Sequence, residues 1–393
     1  MKRLISCVLA LLYVMAGFAS GTWILHGKEY RVDTLYHAYI GPGTTQTSIK
    51  LAGPVNLRVF YTTTDLKNEN VDVRAIKHKD TLTGLGTVSN AAESHSTSNR
   101  SYFAGINADF FSSSMPCGIT VVDGEVYCSD QASGWSLFGI DANKIPYSGG
   151  GDFYVKLTAP DYSSAELSAM NLERGTNGLV LYSSRKGANT GTDSNGSEVV
   201  LIPDGEGNFL TPGATVRMRV QGNPSHAGSM PIPDNGYILS GSGTKESFVS
   251  NLSEGDVVEV RCAIRFNGFT GGKIQQALGG CPMLVSGGKV LDTENALDHL
   301  TSAQPRTAVG YNAEKNKLVM LVADGRSSIS VGPISKVLAD IMIYAGCSEA
   351  MNFDGGGSST FYVKGEGVID QPSDGSERSV TDGLYLSTDA PQN

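Results

Sequence analysis

Short runs of β-branched and aromatic residues, each cut off by glycine or another turn former, constrain this chain most. "LRVFYT", "DFYVKLT", "GLVLYS", "SEVVLIP", "TVRMRVQG", "GYILSGSG" and "DVVEVRCAIRF" are of this kind. Such side chains suit a pleated surface, and the runs are too short for helices of ordinary length. The 48 glycines are spread without a collagen-like period, so they mark turns between many strands. One stretch breaks the pattern. "GPISKVLADIMIYAG" places Ile334, Val337, Leu338, Ile341, Met342 and Ala345 on one helical face. Pro333 suits its first turn and Gly346 its end. A shorter helix is expected around "VSNAAESH". The expected fold class is α+β, with largely antiparallel, twisted sheets, few helices, and a site at strand ends.

The formal net charge is −9 and the basic residues are scattered, which argues against nucleic acid as a partner. Residues 1–20 read as a signal peptide: Lys2 and Arg3, an apolar run, then small residues at Gly17, Ala19 and Ser20. No other apolar run is long enough for a membrane span. The expectation is an exported protein, periplasmic, extracellular or at the cell surface. Residues 21–80 read as an N-terminal strand region packed on a main domain over 81–393. Five cysteines follow the leader, an odd number that makes no disulfide framework. Cys117 and Cys128 flank a hairpin, "CGITVVDGEVYC", turning at Asp123-Gly124. In that register Cys128 faces Ile119, which leaves the two thiols diagonal and unbridged.

The chemistry gathers at strand ends. "MNFDGGGSST" stops an apolar run at Asp354 and continues through Gly355, Gly356 and Gly357 to Ser358, Ser359 and Thr360. No lysine follows the glycines, so this is no Walker loop. Successive glycines can instead aim N–H groups into an anion-binding nest; the plain alternative is a turn. "GINADFF" sets Asn107 and Asp109 on one face of a strand. Arg306 precedes the strand of "QPRTAVGYN", and Asp324 ends that of "LVMLVADGR". An arginine there can grip a phosphate, or merely pair on the surface. The six histidines show no ligand spacing, and no zinc pattern occurs.

"GINADFF…CGITVVDGEVY", "LGGCPMLVSGGKVL", "RTAVGYN", "LVADGR" and "AMNFDGGGSSTFYV", in that order, resemble the phosphodiester glycosidase family over roughly residues 38–387. The resemblance implies hydrolysis of a glycosyl phosphodiester at the sugar C1–O bond, with an N-acetylhexosamine as one candidate sugar. It implies a site of Asn107, Arg306, Asp324, Asn352 and Asp354 with Gly355, Gly356, Gly357, Ser358 and Ser359. Asp109 falls where the family often has glycine. The implied partner is a carbohydrate or sugar phosphodiester, and no cofactor is required. Two alternatives stand beside this reading. One is a glycan-binding module without catalysis. The other is a phosphodiesterase cutting P–O with a divalent cation on Asp109, Asp324 and Asp354, a set that ligand spacing does not support.

Overall fold

The structure is a computed structural model that describes residues 20–131, 134–205, 209–267, 269–270, 272–293 and 301–389. Residues 1–19 of the expected leader lie outside the described residues, and Ser20 opens the first strand. Strands dominate, in three principal sheets whose neighbours are almost all antiparallel.

The first sheet has nine strands. Its middle runs Asn56–Asp65, Lys317–Ala323, Arg306–Tyr311 and Glu349–Asn352. Ser20–Leu25, Lys28–Gly41 and Thr44–Ala52 extend it on one side. Ser20–Leu25 and Lys28–Gly41 fall almost wholly within the 21–80 stretch expected to be a strand region, although no run within them was singled out. Arg306–Tyr311 is buried along its whole length, as expected of a strand covered on both faces. The helix Ser335–Tyr344 covers one face, burying Leu338, Ile341 and Met342 against Leu51, Val59 and Leu321. Each such side chain contributes about 1.5–3 kcal/mol. Pro333 stands one residue before the N-cap, Ile334, and so outside the first turn. Gly346 takes φ +98° just past the C-cap, a conformation that glycine tolerates best.

The third sheet faces the other side. Its order is Gly367–Val368, Phe361–Val363, Ser101–Asn107, Asp382–Thr388 and Asp72–Lys77. Phe60, Met320, Val322 and Met351 of the first sheet meet Ala104, Ile106, Phe361 and Leu384 of the third in one core. The helix Val88–His95 covers the third sheet's far face, through Val88, Ala91 and Ala92.

The second sheet, of thirteen strands, carries a separate core that includes Leu137, Leu181, Leu239 and Val260. The hairpin Thr120–Val122 / Glu125–Cys128 forms one end of its strand order, with Asp123 and Gly124 at positive φ. The register departs from the simple alternation at one place. A bulge after Val126 sets Cys128 opposite Thr120, not Ile119. All five cysteines among the described residues are free.

Candidate active site

The edges of the first and third sheets meet at one place, and most of the expected residues gather there. Arg306 pairs with Ala323 in the ladder, which puts the start of one strand beside Asp324 at the end of the next. Asn352 ends the neighbouring strand on the same edge. The chain then crosses through Asp354 and the three glycines to Phe361–Val363 in the third sheet, whose partner strand ends at Asn107.

Asn107 joins these segments. Its amide donates to the Asp354 carbonyl at 2.7 Å and accepts from the Thr307 hydroxyl at 2.7 Å and the Thr360 N–H at 3.2 Å. The side chain is therefore a staple, not a group presented to a substrate. Asn352 is likewise turned inward: both amide hydrogens are taken, by the carbonyls of Cys281 and Phe353. Ser359 is buried, its hydroxyl accepting from Thr307. A polar residue at a strand end looks the same in sequence whether it faces out or ties the loop down.

The glycine loop does not form the expected nest of free N–H groups. Gly355 N–H donates to the Asp354 carboxylate at 2.8 Å, and Gly356 N–H to the Pro305 carbonyl at 2.9 Å. Ser358 and Ser359 N–H close a short 3₁₀ turn onto Gly355 and Gly356. Only the Gly357 N–H is left out of these bonds. Positive charge comes instead from guanidinium groups packed against the loop. A Cβ on Gly356, which has φ +61°, would lie 3.0 Å from Arg326 Nη2. A Cβ on Gly357 would collide with Arg378 and Asp374. Arginine side chains thus pack close to Gly356 and Gly357, and the Pro305 carbonyl close to Gly355.

Three arginines thus surround the loop. Arg306 is buried beneath it and donates to the Ser302 carbonyl at 2.8 Å. Burial, with the charge of Arg326 adding, lowers its pKa to about 10, so it stays cationic at neutral pH. Arg326 donates to Gln304 Oε1 at 2.7 Å and has no carboxylate partner among the described residues. Its φ is +57°, a left-handed value that other turn residues of the chain, such as Asp123 and Lys144, also take. Arg378 pairs with Asp374 at 2.6 Å and reaches the Ser358 hydroxyl at 3.4 Å. Sequence reading missed Arg326 and Arg378. The available signal was that "ERSV", like "QPRTAV", sets an arginine just ahead of β-branched residues.

The carboxylates differ in setting. Asp354 is half-buried at the loop, and burial pushes its pKa up to about 6; the Ser358 hydroxyl, the Gly355 N–H and Arg378 hold it from going higher. Asp324 is 2 % exposed; burial raises its pKa, while the Gln371 N–H at 2.8 Å and Arg58 at 3.9 Å oppose the shift. Asp109 lies behind the loop. Its carboxylate accepts the Gly118 N–H at 2.7 Å and sits over Gly279, where a Cβ would meet it. Burial first, then the charge of Asp382, raise its pKa well above the ordinary range. The Asp109 N–H donates to Asp382, which faces buried Lys77 across the ladder. Asp382 and Lys77 had no signal in sequence beyond ordinary strand residues. Among the described residues no group of three or more His, Cys, Asp or Glu is placed to hold a metal ion.

An antiparallel, sheet-rich α+β fold with a carboxylate and guanidinium cluster at strand ends is the class defined so far. Residues 211–387 match the family model of phosphodiester glycosidases. The match is narrower than the 38–387 expected. It contains Arg306, Asp324, Arg326, Asp354 and Arg378 but neither Asn107 nor Asp109. An uncharacterized SPbeta prophage-derived protein, YomE, of Bacillus subtilis strain 168 is 39% identical over 88 residues, which is 22% of this chain and 13% of that protein. A solved hypothetical protein from Synechocystis aligns over 88% of this chain and 62% of its own, with TM-score 0.67 and 16% identity. A protein of Burkholderia pseudomallei K96243 described as exported aligns over 94% and 99%, with TM-score 0.66 and 17% identity. This chain therefore spans less than two thirds of the first two relatives, and the two structures share its fold.

Proposed function

We propose that the chain is an exported hydrolase that cleaves a glycosyl phosphodiester between the sugar C1 and the bridging oxygen. The observation that carries this reading is the Asp354 carboxylate on a glycine loop flanked by Arg306, Arg326 and Arg378. The family match across that loop supports it. The leader pattern and the exported Burkholderia protein of like fold support export.

The reaction needs an anion grip and one carboxylate. Cleavage of the C1–O bond develops oxocarbenium character at the sugar and leaves a phosphate monoester. That leaving group has a second pKa of roughly 6, so little protonation is needed for it to depart. Guanidinium groups fixed around the loop stabilise the negative charge on the phosphate as the bond breaks. Water adds to C1, and its proton passes to Asp354, which with a pKa near 6 is ionised at neutral pH and basic enough to accept it. Asp324, held by Gln371 and Arg58, supports the loop that carries Arg326. No cofactor takes part in this scheme. An N-acetylhexosamine is the sugar to try first.

The test is hydrolysis of an α-N-acetylglucosaminyl phosphodiester in oxygen-18 water, wild type beside Asp354→Asn. Labelled sugar from the wild type only is the expected result. Label in the phosphate would mean P–O cleavage and overturn the reading. Failure to cleave any of a panel of sugar phosphodiesters would also overturn it and favour a binding role.

A further inference from the structure

One cavity among the described residues lies away from the glycine loop. It encloses about 540 Å³ in the second sheet's region, a volume ordinary for a ligand site. Ile202, Pro203 and Tyr237 contribute apolar surface; Asp234 and Asn235 stand at its wall. A second cavity of about 520 Å³ has Arg217, Lys273 and Gln275 on its wall. One side chain lines both: Phe209.

Phe209 is 50 % exposed, although the next residue, Leu210, is buried and anchored by its N–H to the Tyr237 hydroxyl at 2.9 Å. The backbone is thus fixed while the ring stands between two cavities. A single exposed aromatic is ordinary; one shared by two cavities is not explained by packing.

The charges around the ring divide into engaged and free. Glu125 is held by Arg185 at 2.7 Å, Asp123 by Arg74 at 2.6 Å and Asp204 by Arg219 at 3.4 Å. Asp234 on one side, and Lys273 and Arg217 on the other, make no ion pair among the described residues; Glu259, opposite Arg217 in the ladder, is not within ion-pair distance. The groove therefore offers a carboxylate and an amide, then an aromatic face, then two cations.

We propose that this groove binds an anionic glycan remote from the glycine loop. A pyranose ring packs its C–H face on Phe209, its hydroxyls bond Asp234 and Asn235, and a phosphodiester on the next unit meets Lys273 and Arg217. The choice of phosphodiester as the anion rests on the proposed reaction; the groove itself does not. An enzyme working on a chain of such units would hold one part of it here while another part reaches the loop.

The probe is a trimer of N-acetylglucosamine joined through C-glycosidic phosphonates, which cannot be hydrolysed. Binding is read by calorimetry on the full chain, so it does not depend on turnover. The trimer is expected to bind saturably, with affinity falling as salt rises. Phe209→Ala should weaken it about tenfold, the scale of a stacked aromatic contact. Lys273→Glu should weaken it and flatten the salt dependence. Both variants should still hydrolyse a small phosphodiester at the wild-type rate. Unchanged affinity in both variants, or no binding by a folded wild type, would overturn the groove assignment. Equal binding of a neutral N-acetylglucosamine trimer would overturn its anionic character. Absence of hydrolysis by the wild type while the trimer still binds would count against the proposed reaction and leave the groove standing.

Discussion

The raised pKa of Asp354 has a measurable cost in stability. The carboxyl moves from 3.8 to about 6 on folding. Each pKa unit is worth about 1.4 kcal/mol, so the full shift amounts to roughly 3 kcal/mol at its upper limit. Solvent reaches part of this side chain, which trims the expectation to about 1–3 kcal/mol. The sign follows from where each state releases its proton. Below pH 3.8 the group is protonated in both states and costs nothing. Between pH 3.8 and about 6 the unfolded chain ionises first, so wild-type stability falls as pH rises. Asp354→Asn removes that fall. Its amide oxygen can still accept the Gly355 N–H, and its NH₂ can face the Ser358 hydroxyl. Urea unfolding of both proteins from pH 4 to pH 8 reads the difference. The Asn variant should gain on the wild type by about 1–3 kcal/mol across that range, reaching a plateau above pH 7, while losing turnover. A stability difference that stays flat with pH would refute the reasoning.

Other perturbations test other parts of the site. Arg326→Ala should raise KM for a phosphodiester about tenfold or more while the urea midpoint stays near wild type, because Arg326 is exposed and its side chain hydrogen-bonds only Gln304 and Ser373 among the described residues. Gly356→Val forces a β-branched residue to φ +61° beside Arg326; it should cost about 1–2 kcal/mol in urea unfolding and abolish turnover. Asn107→Ala leaves the Asp354 carbonyl and the Thr360 N–H unpaired in a buried setting, while the Thr307 hydroxyl keeps Ser359 as its acceptor. At about 1 kcal/mol or more each, a loss of at least ~2 kcal/mol is expected by the same measurement.

What the sequence made legible was local. The Asp123-Gly124 turn and the helix before Gly346 are set by residues within one turn of each other, and both formed as expected. The clustering of Arg306, Asp324 and Asp354 was also legible, because apolar strands that stop at charged residues beside glycine share an edge when they pair. The direction of each side chain was not. Asn352 and Ser359 belong to the same run as Asp354, yet they point inward, and only tertiary hydrogen bonds decide that. The nest failed for a similar reason. Whether a glycine N–H is free depends on Pro305, which is remote in sequence. The bounds of Lys28–Gly41 went unread within the expected 21–80 strand region because "RVDTLYHAY" mixes exposed aromatics with charges and lacks a clean alternation. Arg378 went unread because its neighbour Asp374 makes it resemble a surface ion pair.

The strand Asp382–Thr388 lies in the interior of the third sheet, with Ser101–Asn107 on one flank and Asp72–Lys77 on the other. Two strands made early in synthesis therefore have no direct partner in each other and wait for a segment some 275 residues further on, an interval that follows from their ends at Asn107 and Asp382. A nascent chain cannot close this sheet while its distal portion is still on the ribosome. The sheet stays open until residues 382–388 have been made, and only then are Ser101–Asn107 and Asp72–Lys77 joined through the strand between them.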